Sequence, residues 1–257
     1  MLAAAMTGRR LFVWTTLGLA SLYFVTPLLM TLVFSLWQGR ADYGWENYID
    51  LAARTDIAEA LLLTVALSVA TVVAVGLLLI PAVIATHLYA PRLRVVLELA
   101  AALPFVIPAI SLVAGLTALV QGPAWLVGSP FYLVVPYVFL VLPYAFRTLD
   151  VGLTSLDLVT LREAAESLGA SAWTIVTQVV LPNLRSALIN CALISAIIVI
   201  GEFTVANLLL YRTLPVAIFE VGRGEPMQAA ALSLINFIAS WLAMLVILRH
   251  SRAKARL

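Results

Sequence analysis

Apolar residues in this chain fall into six long runs separated by short polar stretches, and these runs set the expected architecture. The runs are roughly Leu11–Trp37, Ile57–Tyr89, Leu93–Val120, Pro130–Leu149, Ser186–Tyr211 and Gln228–Leu248. Each supplies the ~20 mostly apolar residues that a helix needs to cross the hydrocarbon core of a bilayer. The fourth is short and carries Pro136 and Pro143. The longest polar interruption, Arg147 to Arg185, has its own helical pattern. Asp157 is placed to cap a helix beginning near Leu158. Leu161, Ala164, Ala165 and Leu168 then recur as one apolar stripe. Gly169 is suited to end that helix in a left-handed conformation. Trp173, Ile175, Val176 and Val179 begin a second stripe, and Pro182 breaks it.

Composition agrees with the pattern. The 257 residues are 63% hydrophobic and 11% charged, against ~25% charged in soluble domains, and the mean hydropathy is +1.08. A polytopic, all-α membrane protein with one domain is expected over residues 1–257. Residues 1–56 would form the first span and a loop, and 57–248 the core, with the polar segment 157–182 inside it. The run from Leu11 is too long for the apolar part of a secretory signal, so an uncleaved first span is expected. With both termini on one side, that side carries Arg9, Arg10, Arg92, Arg94, Arg147, Arg162, Arg185, Arg249, Arg252, Lys254 and Arg256. The other side carries Arg40, Arg54, Arg212 and Arg223. Eleven against four puts the termini and the Arg147–Arg185 loop in the cytoplasm. Trp37, Tyr43, Trp45 and Tyr48 belong at the opposite interface, in an acidic loop open to two readings, a solvated loop or a contact for an extracellular protein. The net charge of +2 is explained by topology and gives no reason to expect nucleic acid. The single cysteine, Cys191, precludes an intrachain disulfide.

Within the polar segment, Glu163-Ala164-Ala165-x3-Gly169-x9-Val179-x-Leu181-Pro182 resembles the EAA loop of permease subunits of ATP-binding-cassette importers. Every anchor is in register, with Val179 where the family usually has Ile. Leu103-Pro104, Pro108 and Gly115-Leu116 resemble the family's third span, and Leu142-Pro143-Tyr144 with Arg147-Thr148 the end of its fourth. The resemblance implies six transmembrane helices with a cytoplasmic coupling helix between the fourth and fifth, in a bacterial inner membrane. Glu163, Ala164, Ala165, Leu168, Gly169, Leu181 and Pro182 would form the ATPase-coupling segment. It further implies two cytoplasmic ATPase subunits that bind ATP and Mg, a second permease (homologous or a second copy), and an extracytoplasmic substrate-binding protein, all in contact with or beside membrane lipid.

No catalytic residue or cofactor is expected in this chain itself. A phosphate-binding Walker loop needs a lysine after glycines, and the only lysine is Lys254. His87 and His250 are far apart and suggest no metal site. Energy must come from a partner ATPase or an ion gradient, so an ion-coupled secondary transporter or channel subunit is the alternative. For the translocation path the candidates are Glu202, Thr204 and Asn207 in the fifth run. A carboxylate at membrane depth costs about 2.5–3.5 kcal/mol on insertion scales, so it should face a cavity or a polar partner. Two readings are open: Glu202 lines the path and attracts a cation, or it makes a structural hydrogen bond. Gly201-Glu202-Phe203-Thr204 looks like a segment of permeases in the polyamine, thiamine, ferric-iron and aminophosphonate branch. An intramembrane acid turns the expectation toward a small polar or cationic solute such as a polyamine.

Overall fold

The apolar runs are helical over most of their length; the third bends at Pro104 and Pro108 and the fifth breaks after Ile200, while Pro27 and Pro81 are carried inside continuous helices. The computed structural model describes residues 2–39, 42–119, 122 and 124–254. Arg40 and Arg256 of the charge count, and Val120 at the end of the third run, lie outside the described residues. Helix α1 (Leu2–Leu36) leads into a short antiparallel hairpin, β1 (Trp37–Gly39) and β2 (Asp42–Tyr43), then α2 (Glu46–Ala53). Helix α3 (Thr55–Leu88) follows. Next, α4 (Pro91–Ala102) ends in a 3₁₀ turn at Leu103–Phe105, and α5 (Ala109–Leu119) departs at 102°. Pro104 and Pro108 cause this bend, because proline removes backbone donors and clashes with the preceding turn. A short α6 (Ala124–Val127) and a 3₁₀ turn at Pro130–Leu133 enter α7 (Val134–Thr154).

The polar segment forms α8 (Leu158–Ser167) and α9 (Ala172–Thr174). A π-helical turn at Ile175–Val180 and α10 (Leu181–Asn183) then lead to α11 (Arg185–Ile200), with a 72° bend before α11. The chain ends with α12 (Thr204–Leu208), α13 (Leu214–Gly224) and α14 (Pro226–Lys254). Four helices among the described residues are long and apolar enough to cross a membrane, or up to six if each bent pair counts as one span.

One expectation holds over a longer helix and one is corrected. The fourth run, the least secure by sequence, is part of a 25-residue span, Pro130–Thr154, with half of its apolar window buried, more than any other. Its prolines are accommodated because Pro136 sits in the first turn of α7 and Pro143 is packed in the core. The fifth run, expected as one helix over Ser186–Tyr211, stops at Ile200 and restarts at Thr204. The break follows from Gly201 and from the Glu202 side chain, described below.

The chain divides into two compact units. One holds Met1–Thr55 with Ile218–Ala239, and the other Asp56–Ala217 with Ser240–Leu257. In the first unit α1 buries none of its apolar window, leaving Phe12, Trp14, Tyr23 and Phe24 outward. In water this would be an aggregating surface; in a bilayer it is a solvated one. The α1 end is fixed to α2 by the Tyr48 hydroxyl 2.6 Å from Ser35 Oγ and by Asn47 Nδ2 donating to the Ser35 carbonyl at 2.8 Å. Arg54 pairs with Glu225 at 3.4 Å.

The second unit is built around α7. Tyr137, Val141, Ala145, Leu149 and Leu153 are at most 1% exposed and point into one core with residues of α3 and α11. The approach of α7 to α11 depends on Gly152. A Cβ there would lie 2.4 Å from Ala187 Cβ and 2.9 Å from Leu184 Cδ1. Gly152→Val is therefore expected to destabilise the protein by about 1–3 kcal/mol, as overpacked cores do. The check is the thermal unfolding midpoint in detergent, which should fall relative to the parent.

Candidate functional site

Helix α8 is held by local chemistry at both ends. The Asp157 carboxylate accepts from the Thr160 backbone N–H at 3.3 Å and from its hydroxyl at 2.7 Å. These bonds hold the Asp157 carboxyl below its usual range. At the other end Gly169 has φ +80°. The Gly169 N–H donates to the Glu166 carbonyl at 2.9 Å and the Ala170 N–H to the Ala165 carbonyl at 3.0 Å. That pair of bonds is the Schellman closure, and the left-handed residue it requires is cheapest as glycine.

The stripe expected to form one apolar face splits in two. Leu158, Leu161 and Ala165 are half-buried, and Leu158 and Ala165 pack on the core. Glu163, Ala164 and Leu168 are exposed, Leu168 at 88%. The helical period puts i, i+3, i+4 and i+7 from Leu158 on one face, which adds the half-buried Arg162 to these three. Val159 and Trp173 are also exposed. Leu181 is half-buried against the core, and the exposed Pro182 opens the turn into α10.

Arg162 fastens α8 to α3. Its Nε donates to Glu166 Oε1 at 2.7 Å, an amino nitrogen donates to the Leu88 carbonyl at 2.9 Å, and the guanidinium lies 5.0 Å from the Tyr89 ring centroid. The Leu88 carbonyl is one of the unsatisfied acceptors at a helix C-terminus, where a cation is favoured. A cavity of about 260 Å³ lies between the α3 end and α8, lined by His87, Leu88, Leu158, Val159, Arg162, Glu163 and Glu166.

Next to it is a charged cluster that the sequence did not reveal. The side chain of Asp150 on α7 is only 4% exposed. Arg94 on α4 grips it with two bonds, Nε to Oδ1 at 2.8 Å and an amino nitrogen to Oδ2 at 3.0 Å. His87 Nε2 on α3 lies 3.2 Å from Oδ1, while Nδ1 faces the Val83 carbonyl at 2.8 Å. A carbonyl only accepts, so Nδ1 carries the proton. Three helices thus converge on one carboxylate. Arg94 and Asp150 are 56 residues apart, a separation no local motif encodes.

In the fifth run, Glu202 is a cap. Its Oε1 accepts from the Val205 N–H at 2.8 Å and Oε2 from the Ala206 N–H at 3.2 Å, which starts α12. Tyr137 is buried with its phenol beside the same carboxylate. Thr204 is exposed and Asn207 half-buried. At the far end of α12 the Leu210 and Tyr211 N–H groups repeat the Schellman closure, with Leu210 at φ 60° in place of glycine. The residues expected to line a path are therefore the cap, the first residue and the fourth residue of one short helix.

A helical chain with several apolar spans and a capped polar helix between two of them is a multi-pass membrane protein. The profile of the family described as "Binding-protein-dependent transport system inner membrane component" matches residues 90–253, well over half of the chain. The chain belongs to that family: it is a permease component of binding-protein-dependent transport, a non-catalytic role that operates with ATPase and binding-protein partners. No curated protein matches the chain in sequence.

The buried cluster gives the sharpest test of this region. Asp150→Asn leaves the half-exposed Arg94 guanidinium without its counter-charge, and losing hydrogen bonds to a charged group costs about 1.5–3 kcal/mol. Lower yield of folded protein and a lower unfolding midpoint are expected. Unfolding indistinguishable from the parent would show that the carboxylate holds nothing.

Proposed function

We propose that this chain is the permease subunit of an ATP-driven importer and that α8 is its coupling helix. The observation that carries the reading is the outward face of α8. Glu163, Ala164 and Leu168 point away from the core on a helix fixed at its start by Asp157, at its end by Gly169 and along its side by Arg162. Small and apolar exposed groups on a rigid helix suit docking into a groove of a cytoplasmic partner. Val159 on the same helix is exposed as well.

In this reading each bent pair is one span, giving six, with both termini and α8 in the cytoplasm as the arginine distribution favours. Two ATPase subunits bind ATP and Mg and dock beneath a pair of permeases, and an extracytoplasmic binding protein delivers the solute. Closure of the ATPases pushes α8. The push reaches α3 through Arg162, and α4 and α7 through the His87–Asp150–Arg94 cluster, so access alternates between the two sides. The permease breaks no bond.

The solute is small and polar. A cationic solute such as a polyamine was favoured by reading Glu202 as an open acid. Both its oxygens are engaged by α12, which weakens that argument and also the ion-coupled alternative, for which Glu202 was the nearest candidate ligand.

The inward and outward halves of α8 give separable variants. Ala164→Arg places charge on the exposed face without disturbing the core contacts. It is expected to abolish co-purification of the ATPase while the permease stays inserted and folded. Ala165→Arg strikes the packed side and Gly169→Pro the helix end, and both should lose folding or the α8 fold as well as coupling. Affinity purification in mild detergent, with mass spectrometry for a protein bearing a Walker loop, reads all three. An undiminished ATPase yield with Ala164→Arg would refute docking through this face.

A further inference from the structure

A second polar surface lies on helices that are otherwise apolar. One face of α7 carries Arg147, Thr148 and Ser155, and the facing turns of α10 and α11 carry Asn183, Ser186 and Asn190. The spacings are those of a single helical stripe on each side, four residues from Ser186 to Asn190 and seven from Thr148 to Ser155. Together they line an open cavity of about 430 Å³, pinched at one end where Gly152 meets Ala187. Arg147 is 70% exposed, and Ser186 and Asn190 are exposed too. With the termini in the cytoplasm these positions fall at the cytoplasmic ends of their runs, where polar residues face water or a protein partner.

The charge of this cavity has one sign. Arg147 is the only charged residue that lines it. The nearest carboxylate, Asp150, is 3.7 Å away but buried, and is already gripped by Arg94 and approached by His87. The Thr148 and Ser155 hydroxyls donate to carbonyls of their own helix, Tyr144 and Gly152. The Asn183 amide spends one donor on Val179. What remains to meet a solute is the Arg147 guanidinium together with donors from Asn183, Ser186 and Asn190. A concave site with one sign of charge and low-dielectric walls concentrates the opposite charge, and a planar guanidinium matches the geometry of an oxyanion.

We propose that this cavity is the cytoplasmic half of the translocation path and that Arg147 selects solutes bearing an oxyanion group, such as a phosphate, phosphonate or carboxylate. The proposal rests on the importer reading for its orientation and names the substrate class of that reading.

Its test needs neither the solute nor ATP. Cys191, the only cysteine in the chain, is replaced by alanine, and Asn190→Cys is introduced. The assembly is kept whole in nucleotide-free inside-out vesicles. The cysteine is then modified with sulfonatoethyl or trimethylammonioethyl methanethiosulfonate, each rate being normalised to a small thiol in solution. Labelling from the cytoplasmic face is expected, several-fold faster for the anionic reagent. Arg147→Gln should abolish the preference and keep the labelling, and Arg147→Lys should retain it. Ser186→Cys, one turn away, gives the same readout should Asn190→Cys fail to insert. The proposal is overturned by equal normalised rates, by a preference for the cation, or by cysteines that react only after denaturation. The last result would mean that lipid or protein fills the cavity and that Arg147 holds a lipid phosphate. None of these outcomes bears on the α8 test, and loss of the ATPase from purified complexes would leave the labelling unchanged.

Discussion

One buried carboxylate organises the second unit. Asp150 sits at 3% exposure on the most buried of the four unbroken candidate spans among the described residues. A charge taken that far from water is tolerated only with partners of excellent geometry. The partners come from two other helices, Arg94 on α4 and His87 on α3. Helices packed in a bilayer gain little from apolar contact, since lipid tails are as apolar as leucine. A charge that cannot be left alone supplies the specificity that the hydrophobic effect does not. It fixes which ends of α3, α4 and α7 meet, and therefore where the Leu88 carbonyl is presented to Arg162 of α8.

The position of this cluster matters for the proposed coupling. Helix α8 is short, exposed on one side and has few inward residues. Taken alone, it would move without consequence. Arg162 ties it to the end of α3 one residue from His87, and His87 touches the carboxylate that α4 and α7 share. A displacement of α8 must either break a set of charge-assisted bonds or carry three helices with it. Bonds of that kind are stronger than neutral ones, which favours carrying over breaking. Rigid elements joined by discrete bonded contacts are what a two-state motion requires.

What was legible in the sequence was local. Asp157 and Gly169 act on N–H and carbonyl groups within four residues, so residue type and spacing specified the two ends of α8. The apolar runs marked most spans because bilayer thickness fixes their length. The inward face of α8 was half-read, since the periodicity that joins Leu161 to Ala165 does not say whether Ala164 and Leu168 share their side. Glu202 was noticed for its cost in a membrane, and the cost was real. Its resolution was the start of a new helix three residues on, which a continuous apolar run concealed. The Asp150 cluster joins residues more than fifty positions apart and left no signature. The polar stripe was detectable: Arg147, Thr148 and Ser155 on one helix, and Ser186 and Asn190 on another, follow the same period that marks apolar faces. It was passed over because each residue is unremarkable until the two helices are brought side by side.

The contrast between Glu202 and Arg147 bears on how charge is used along the apolar runs. Both are ionisable residues within such a run, and both would be read as functional on that ground alone. Their accounting differs. Glu202 has two oxygens and gives one to each of two N–H groups of α12, so the helix start is the reason for its presence. Arg147 has five donors and is 70% exposed, and its ionic contact among the described residues, at 3.7 Å, is with a carboxylate that Arg94 already holds with two bonds. A charge whose bonding capacity is spent on its own backbone explains a fold; one with capacity left over, facing a cavity, explains a selectivity. On that criterion the path runs along α7 and α11, and its sign is positive.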